Sequence, residues 1–213
     1  MKPIREQLLL YAITDRSWIG RKTLYEQIED ALKGGVTLVQ LREKGLDQAE
    51  FLREALQVKD LCHRYGVSLI INDNVDVALA SGADGVHVGM EDAPVAAIRA
   101  RAPAGFLIGA TAKTVDQARA AEAAGADYLG VGAVFPSPTK ENARRITPSD
   151  LRTICAAVSI PAVAIGGITR EKLPALTDCG MEGVAVISAL FGAEDISAAA
   201  AELKAAAEDL IKK

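Results

Sequence analysis

The sequence predicts a single (β/α)8 barrel spanning residues 1–213. Three observations carry this. Eight short apolar runs alternate with longer amphipathic stretches from end to end. The runs are nearly continuous in Val, Ile, Leu and Ala, as in parallel strands covered on both faces. A glycine-led pattern also recurs about every second unit. Its copies are Gly35-Val36-Thr37-Leu38-Val39, Gly82-Ala83-Asp84-Gly85-Val86, Gly125-Ala126-Asp127-Tyr128-Leu129 and Gly180-Met181-Glu182-Gly183-Val184. In each, glycine stops a helix, a short turn follows, and a strand begins. Eight such units close most naturally into a barrel. An open doubly wound sheet is the structural alternative.

The expected strands are Leu8–Thr14, Thr37–Arg42, Ser68–Asn72, Gly85–Gly89, Leu107–Thr111, Tyr128–Ala133, Ala162–Gly166 and Gly183–Ser188. Between them Leu24, Ile28, Ala31 and Leu32 recur at helical spacing. So do Phe51, Ala55, Val58 and Cys62, within a helical pattern over Asp47–Tyr65. The last helix covers about Ile196–Leu210. No Pro/Gly/Ser-rich linker divides the chain, so one domain is expected.

Composition narrows the partners. A net charge of −4 argues against non-specific nucleic-acid binding, which needs a basic surface. The apolar run Leu8–Ile13 is too short for a signal-peptide core with its cleavage site, or for a membrane span. A cytoplasmic protein without a membrane partner is expected. Cys62, Cys155 and Cys179 form no C-x-x-C pair, so reduced thiols are expected. Cys62-His63 has no second pair nearby and reads as structural.

Active sites of such barrels lie at the C-terminal strand ends. Here the polar residues collect there. Asp15 and Arg16 follow the first strand, and Gln40, Arg42 and Lys44 end the second. Asn72 and Asp73 end the third, Glu91 and Asp92 follow the fourth, and Thr111 ends the fifth. Ser137, Thr139 and Lys140 follow the sixth. Gly166 and Gly167 end the seventh, and Ser188 ends the eighth. The loops before the strands carry mostly Gly, Ala and Pro. This asymmetry points to an enzyme.

Gln40, Arg42 and Lys44 are two apart, so on an extended chain they share one side. A guanidinium fork and an ammonium point charge together suit a pyrophosphate. The plainer alternative is a strand end salt-bridged through Glu43. Asp73 and Asp92 come from adjacent strands and suffice for Mg²⁺, which needs one or two carboxylates besides water and phosphate. Alternatively, Asp73 caps a helix before Val75, and Asp92 caps one near Pro94. Asp76 reads as a first-turn helix residue.

Phe135-Pro136-Ser137-Pro138-Thr139-Lys140 offers two hydroxyls and a cation, either as a lid over an anion or as an ordinary solvated loop. The ends of the seventh and eighth strands, with Gly166-Gly167 and Ile187-Ser188, fit a phosphate site built from backbone N–H groups. His87, inside the fourth strand, reads as structural, satisfied by hydrogen bonds near the barrel interior. Trp18 reads as packing over a loop.

Together these pieces resemble the thiamin phosphate synthase family. The matching residues are Tyr11-Ala12-Ile13-Thr14-Asp15, Gln40-Leu41-Arg42-Glu43-Lys44, Asn72-Asp73, and Gly85-Val86-His87-Val88-Gly89 with Glu91-Asp92. They continue through Ala126-Asp127-Tyr128-Leu129-Gly130-Val131-Gly132, Pro136-Ser137-Pro138-Thr139-Lys140, Ala164-Ile165-Gly166-Gly167-Ile168 and Ser188-Ala189. The resemblance implies joining of a hydroxymethylpyrimidine pyrophosphate to a hydroxyethylthiazole phosphate, with release of pyrophosphate. It implies that Gln40, Arg42, Lys44 and Asn72 hold the pyrophosphate, with Thr111 and Lys140 adding contacts. It implies Mg²⁺ on Asp73 and Asp92, and a thiazole phosphate side lined by Ser137, Thr139, Gly167, Ile187 and Ser188. Arg42, Lys44 and Lys140 would carry the catalytic charge, and a homodimer is implied. Three positions depart from the family pattern. Met90 stands where Gln is usual, Thr111 where Ser is usual, and Lys113 where His is common. A thiazole phosphate tautomerase and a non-catalytic phosphate-binding barrel are the competing readings.

Overall fold

A computed structural model describes residues 4–20, 22–136 and 145–211. Eight parallel strands pair in sequence order and close on themselves. They are β1 (Leu10–Ile13), β2 (Leu38–Leu41), β3 (Ser68–Asn72), β4 (Gly85–Val88), β5 (Leu107–Ala112), β6 (Tyr128–Gly132), β7 (Ala162–Ile165) and β8 (Gly183–Val186). β1 pairs with β8 through Tyr11 and Ala185 as well as with β2 through Tyr11 and Leu38. That pairing rules out the open sheet.

β3 matches its expected run, β5 extends its own by one residue to Ala112, and the other strands lie within theirs, trimmed at one or both ends. β1 starts later than its run because Ile4–Gln7 form a short helix, α1, and the Leu8 N–H returns to the Ile4 carbonyl at 3.1 Å. Leu8 is fully buried, packed against the strands' inward side chains.

The helices are α2 (Leu24–Lys33), α3 (Gln48–Arg64), α4 (Val75–Ser81), α5 (Val95–Arg101), α6 (Val115–Ala123), α7 (Pro148–Ala156), α8 (Ser188–Phe191) and α9 (Ile196–Ile211). Their starts are written in the sequence. Thr23 and Glu26 close a reciprocal capping box on α2, and Thr147 and Asp150 do so on α7. Asp47 accepts the Glu50 N–H at the start of α3. The link from β7 to β8 differs from the helical pattern of the other units. It is a 3-10 helix, Arg170–Leu176, with Pro174 inside. Proline lacks the N–H that an α-helix needs there.

Two apolar layers result. Leu8, Tyr11, Ile13, Leu38, Ile70, Tyr128, Val163 and Ala185 fill the barrel. Val39, Leu41, Leu69, Ile71, Val86 and their neighbours face the helices, whose buried stripes include Ile28, Ala55 and Val58. Each fully buried Leu, Ile or Val contributes roughly 1.5–3 kcal/mol relative to exposure.

Burial pushes the Cys62 thiol up to about 12, aided by the Asp84 carboxylate. His63 Nε2 instead meets Asp84 Oδ2 at 2.8 Å, so the Cys62-His63 pair is structural as expected. Among the described residues, no helix is long and apolar enough to cross a membrane.

Candidate active site

The C-terminal strand ends surround a cavity of about 680 Å³. That size suits a small organic ligand. Gln40, Arg42, Lys44, Asn72, Asp73, Asp92, Thr111 and Ile187 all line it. Gly167 and Ser188 do not, while their neighbours Gly166 and Ile187 do. Ser137, Thr139 and Lys140 lie outside the described residues.

The first two strand ends are stitched together. The Arg42 N–H donates to Thr14 Oγ1 at 2.9 Å. The Arg42 guanidinium faces Asp15 at 3.4 Å. Arg16 binds Glu43 and, through its other arm, Glu54. The Glu43 side chain is only 1 % exposed, so the alternative of a strand end closed by Glu43 is half right. Glu43 makes its salt bridge with Arg16, and Arg42 and Lys44 keep their charges for the cavity side. Burial pushes the Glu43 carboxyl up against the opposing pull of Arg16, and the Glu54 carboxylate adds to the rise.

The acidic pair lies beside them. Lys44 Nζ donates to Asp73 Oδ2 at 2.9 Å. Asp73 does not cap α4. Asn74 does, its Oδ1 accepting the Val77 N–H at 2.9 Å. Asp73 itself is left-handed, with φ of 61°, and its N–H reaches the His87 carbonyl at 2.8 Å. A non-glycine residue held at positive φ needs its surroundings to impose it, and such strain gathers at functional sites. Asp92 does not cap α5 either; Pro94 stands at that helix's N-cap, with no side-chain cap. Its Oδ2 accepts the Gly89 N–H at 2.7 Å.

The two carboxyls interact directly. Burial works to raise Asp73, but the Lys44 ammonium and hydrogen bonds from Asp92 and Asn72 outweigh it and hold Asp73 below the usual range. Burial lifts Asp92, and the adjacent Asp73 adds to the lift against the Gly89 N–H. Two neighbouring carboxyls that resist ionising together are what a divalent cation relieves. Oxygen donors from two strand ends fit Mg²⁺, with ligand phosphates and water completing its sphere. Among the described residues no group of three or more His, Cys, Asp or Glu side chains that could hold a metal ion occurs.

Across the cavity, the walls are backbone and apolar groups. Gly166 and Gly167 have φ of 98° and 61°. A Cβ on Gly167 would fall 2.1 Å from the Pro136 carbonyl oxygen. α8 begins at Ser188, directly after Ile187.

Some lining residues were not singled out from the sequence as binding groups. Tyr11, Ile13, Gly130, Val163, Ile165 and Ala185 reach the cavity, and so do Met90 and Lys113. The period-two alternation of Tyr11 and Ile13 on β1 was the available signal. His87 is also part of this wall. As expected it is satisfied by hydrogen bonds, to Tyr128 and Thr111. Trp18 is partly buried against the core.

A model of the thiamine monophosphate synthase family matches residues 10–190. The chain belongs to that family. Thiamine-phosphate synthase of Ruminiclostridium cellulolyticum is 45% identical over 194 residues, covering 91% of this chain and 92% of the relative. Thiamine-phosphate synthase 2 of Streptococcus pneumoniae is 47% identical, covering the same shares. The solved thiamine phosphate pyrophosphorylase of Pyrococcus furiosus superposes with a TM-score of 0.90 at 40% identity. The match covers 98% of this chain and 99% of that one. The family resemblance seen in the sequence is therefore borne out.

Proposed function

We propose that this chain, a transferase of thiamin biosynthesis, joins 4-amino-2-methyl-5-hydroxymethylpyrimidine pyrophosphate to 4-methyl-5-(2-hydroxyethyl)thiazole phosphate. The products are thiamin phosphate and pyrophosphate, and the path is a Mg²⁺-assisted dissociative substitution. The observation that carries the reading is the meeting of Arg42, Lys44, Asp73 and Asp92 at one side of one cavity. Cations and paired carboxylates there match a magnesium pyrophosphate.

The pyrimidine methylene–oxygen bond breaks, and its electron pair leaves with the pyrophosphate. The aminopyrimidine ring stabilises the resulting benzyl-like cation, and the thiazole nitrogen attacks it. Such chemistry needs little acid–base machinery. It needs charge stabilisation on the leaving group and close placement of two substrates. Gln40, Arg42, Lys44, Asn72 and Thr111 take the pyrophosphate, and Lys140 adds a charge. Arg42, Lys44 and Lys140 are the catalytic cations. Asp73 and Asp92 would hold Mg²⁺, which supplies charge neutralisation on the departing group. Gly167, Ile187 and Ser188, with Ser137 and Thr139, take the thiazole phosphate. The tautomerase and pure-binding readings draw no support from the relatives above.

The test mixes the protein with both phosphorylated heterocycles and Mg²⁺ and follows thiamin phosphate. Product is expected with metal and is lost on chelation. No product under any metal condition sinks the synthase reading. A homodimer in the cytoplasm completes the proposal, and sedimentation checks the assembly.

A further inference from the structure

Polar groups line up across the barrel interior beneath the cavity. Gln40 Nε2 donates to the Tyr11 hydroxyl at 2.7 Å. That hydroxyl lies 2.8 Å from the Tyr128 hydroxyl. The Tyr128 oxygen is 3.2 Å from His87 Nδ1, and His87 Nε2 is 3.1 Å from Thr111 Oγ1. The line runs from β2 through β1, β6 and β4 to β5. Both of its ends, Gln40 and Thr111, face the cavity.

Barrel interiors are ordinarily packed with branched aliphatic residues. A buried polar chain is costly unless every member is bonded. This one has room made for it. A Cβ on Gly109 would fall 2.2 Å from Tyr128 Cζ and 2.5 Å from His87 Nδ1. A Cβ on Gly130 would fall 3.0 Å from His87 Cε1. Two strands thus give up side chains to seat two rings.

The chain has a direction. An amide nitrogen only donates, so the Tyr11 oxygen accepts from Gln40. Either phenol can donate to the other, and a relay in which each group donates once to the next sends the Tyr11 proton toward Tyr128. The next step of such a relay takes the Tyr128 proton to a bare His87 Nδ1. Burial raises both phenols, so both keep their protons. In that relay the ring proton of a neutral His87 would sit on Nε2 and point to Thr111 Oγ1. Thr111 is left with its own proton to give. The reverse direction would spend that proton on His87. Pyrophosphate oxygens only accept, so the ligand selects the same direction as Gln40 does.

We propose that Tyr11, Tyr128 and His87 are positioning residues, forming a one-way hydrogen-bond relay that holds the Thr111 hydroxyl proton toward the departing pyrophosphate. The proposal rests on the pyrophosphate reading of this site.

Nitrogen-15 NMR of histidine-labelled protein reads the proton's place directly. The chain has 2 histidines, so a His63→Gln control assigns the spectrum. The expected state of His87 is a proton on Nε2 and a bare Nδ1. Gln40→Glu, whose carboxylate only accepts, reverses the relay and moves the proton to Nδ1. Tyr128→Phe removes the donor to Nδ1 and yields mixed tautomers. It also lowers kcat about tenfold, the effect of one hydrogen bond to a charged group. KM for the pyrimidine substrate changes little, because the charge on the leaving oxygens grows only in the transition state. A proton on Nδ1 in the unaltered protein overturns the relay. So does a Tyr128→Phe protein with an unchanged tautomer and unchanged kcat. If Tyr128→Phe fails to fold, the unaltered protein and Gln40→Glu still decide. If the unaltered protein makes no thiamin phosphate, the synthase reading fails, while the imidazole spectrum judges the relay independently.

Discussion

The two halves of the barrel mouth are built from different materials. From β1 to β5 the strand ends carry charged and hydrogen-bonding side chains, each tied to a neighbour. Thr14 and Asp15 hold Arg42, Lys44 meets Asp73, and Gly89 holds Asp92. From β6 to β8 the described wall includes Gly130, Gly132, Ala133, Val163, Ile165, Gly166, Ala185 and Ile187. One half stabilises charge through side chains. The other sets shape through the backbone. A reaction that expels an anion and docks a second ring needs both, and they should fail differently when altered.

Arg42→Ala should break the charged half most severely. On the proposed role its guanidinium meets the charge developing on the leaving group, so kcat/KM should fall on the order of 10²- to 10³-fold. The unfolding midpoint should move little, since the one ion pair lost, with Asp15, is long at 3.4 Å. Steady-state kinetics and a thermal melt on the same sample check this. A large stability loss with kinetics preserved would return Arg42 to a purely structural role.

Gly167→Ala attacks the shape half. Alanine at φ of 61° is strained, and its Cβ would meet the Pro136 carbonyl. Destabilisation of about 2–3 kcal/mol is expected, read from urea unfolding. Here the stability change should lead and the turnover change should follow. Unaltered stability would mean that the loop yields freely and that the glycine serves another purpose.

The halves also differed in how far the sequence disclosed them. The charged half was legible because Gln40, Arg42 and Lys44 alternate, and because acids recur just past apolar runs. Strand order followed from eight similar units. Other features depend on the closed barrel's register. Tyr11, Tyr128 and His87 are far apart in the chain, and only pairings such as Asn72 with His87 and His87 with Gly109 bring their strands to one interior. Asp73 and Asn74 are both good caps by type. Only the left-handed turn at Asp73 decides that Asn74 caps α4 and frees the aspartate. The 3-10 link before β8 escaped because Pro174 is tolerated near a helix start and excluded from its middle.

Asp92→Asn is a smaller break within the charged half. It keeps an acceptor for the Gly89 N–H and removes one negative charge from the pair with Asp73. The Mg²⁺ concentration for half-maximal rate should rise at least about tenfold, the loss typical even of groups one step beyond a metal. A magnesium titration of the rate measures it. An unchanged curve would take Asp92 out of the metal site.

Met90→Gln should do least, and that outcome sharpens the comparison. Met90 is 57% exposed at the cavity mouth, two residues before Asp92. In the family pattern a polar side chain is usual there, so its loss looks like a weakness in the metal side. The geometry says otherwise. Asp92 is fixed by the Gly89 N–H across the turn that contains Met90, and a Cβ on Gly89 would come within 2.9 Å of Asp92 Oδ2. The backbone on one side of residue 90 thus orients the carboxylate on the other. Met90→Gln should change stability by less than about 0.5 kcal/mol and leave the magnesium curve in place. Gly89→Ala should shift that curve, because its methyl group displaces the carboxylate. If instead Met90→Gln tightens magnesium and Gly89→Ala is silent, side chains rather than backbone organise even this corner of the charged half.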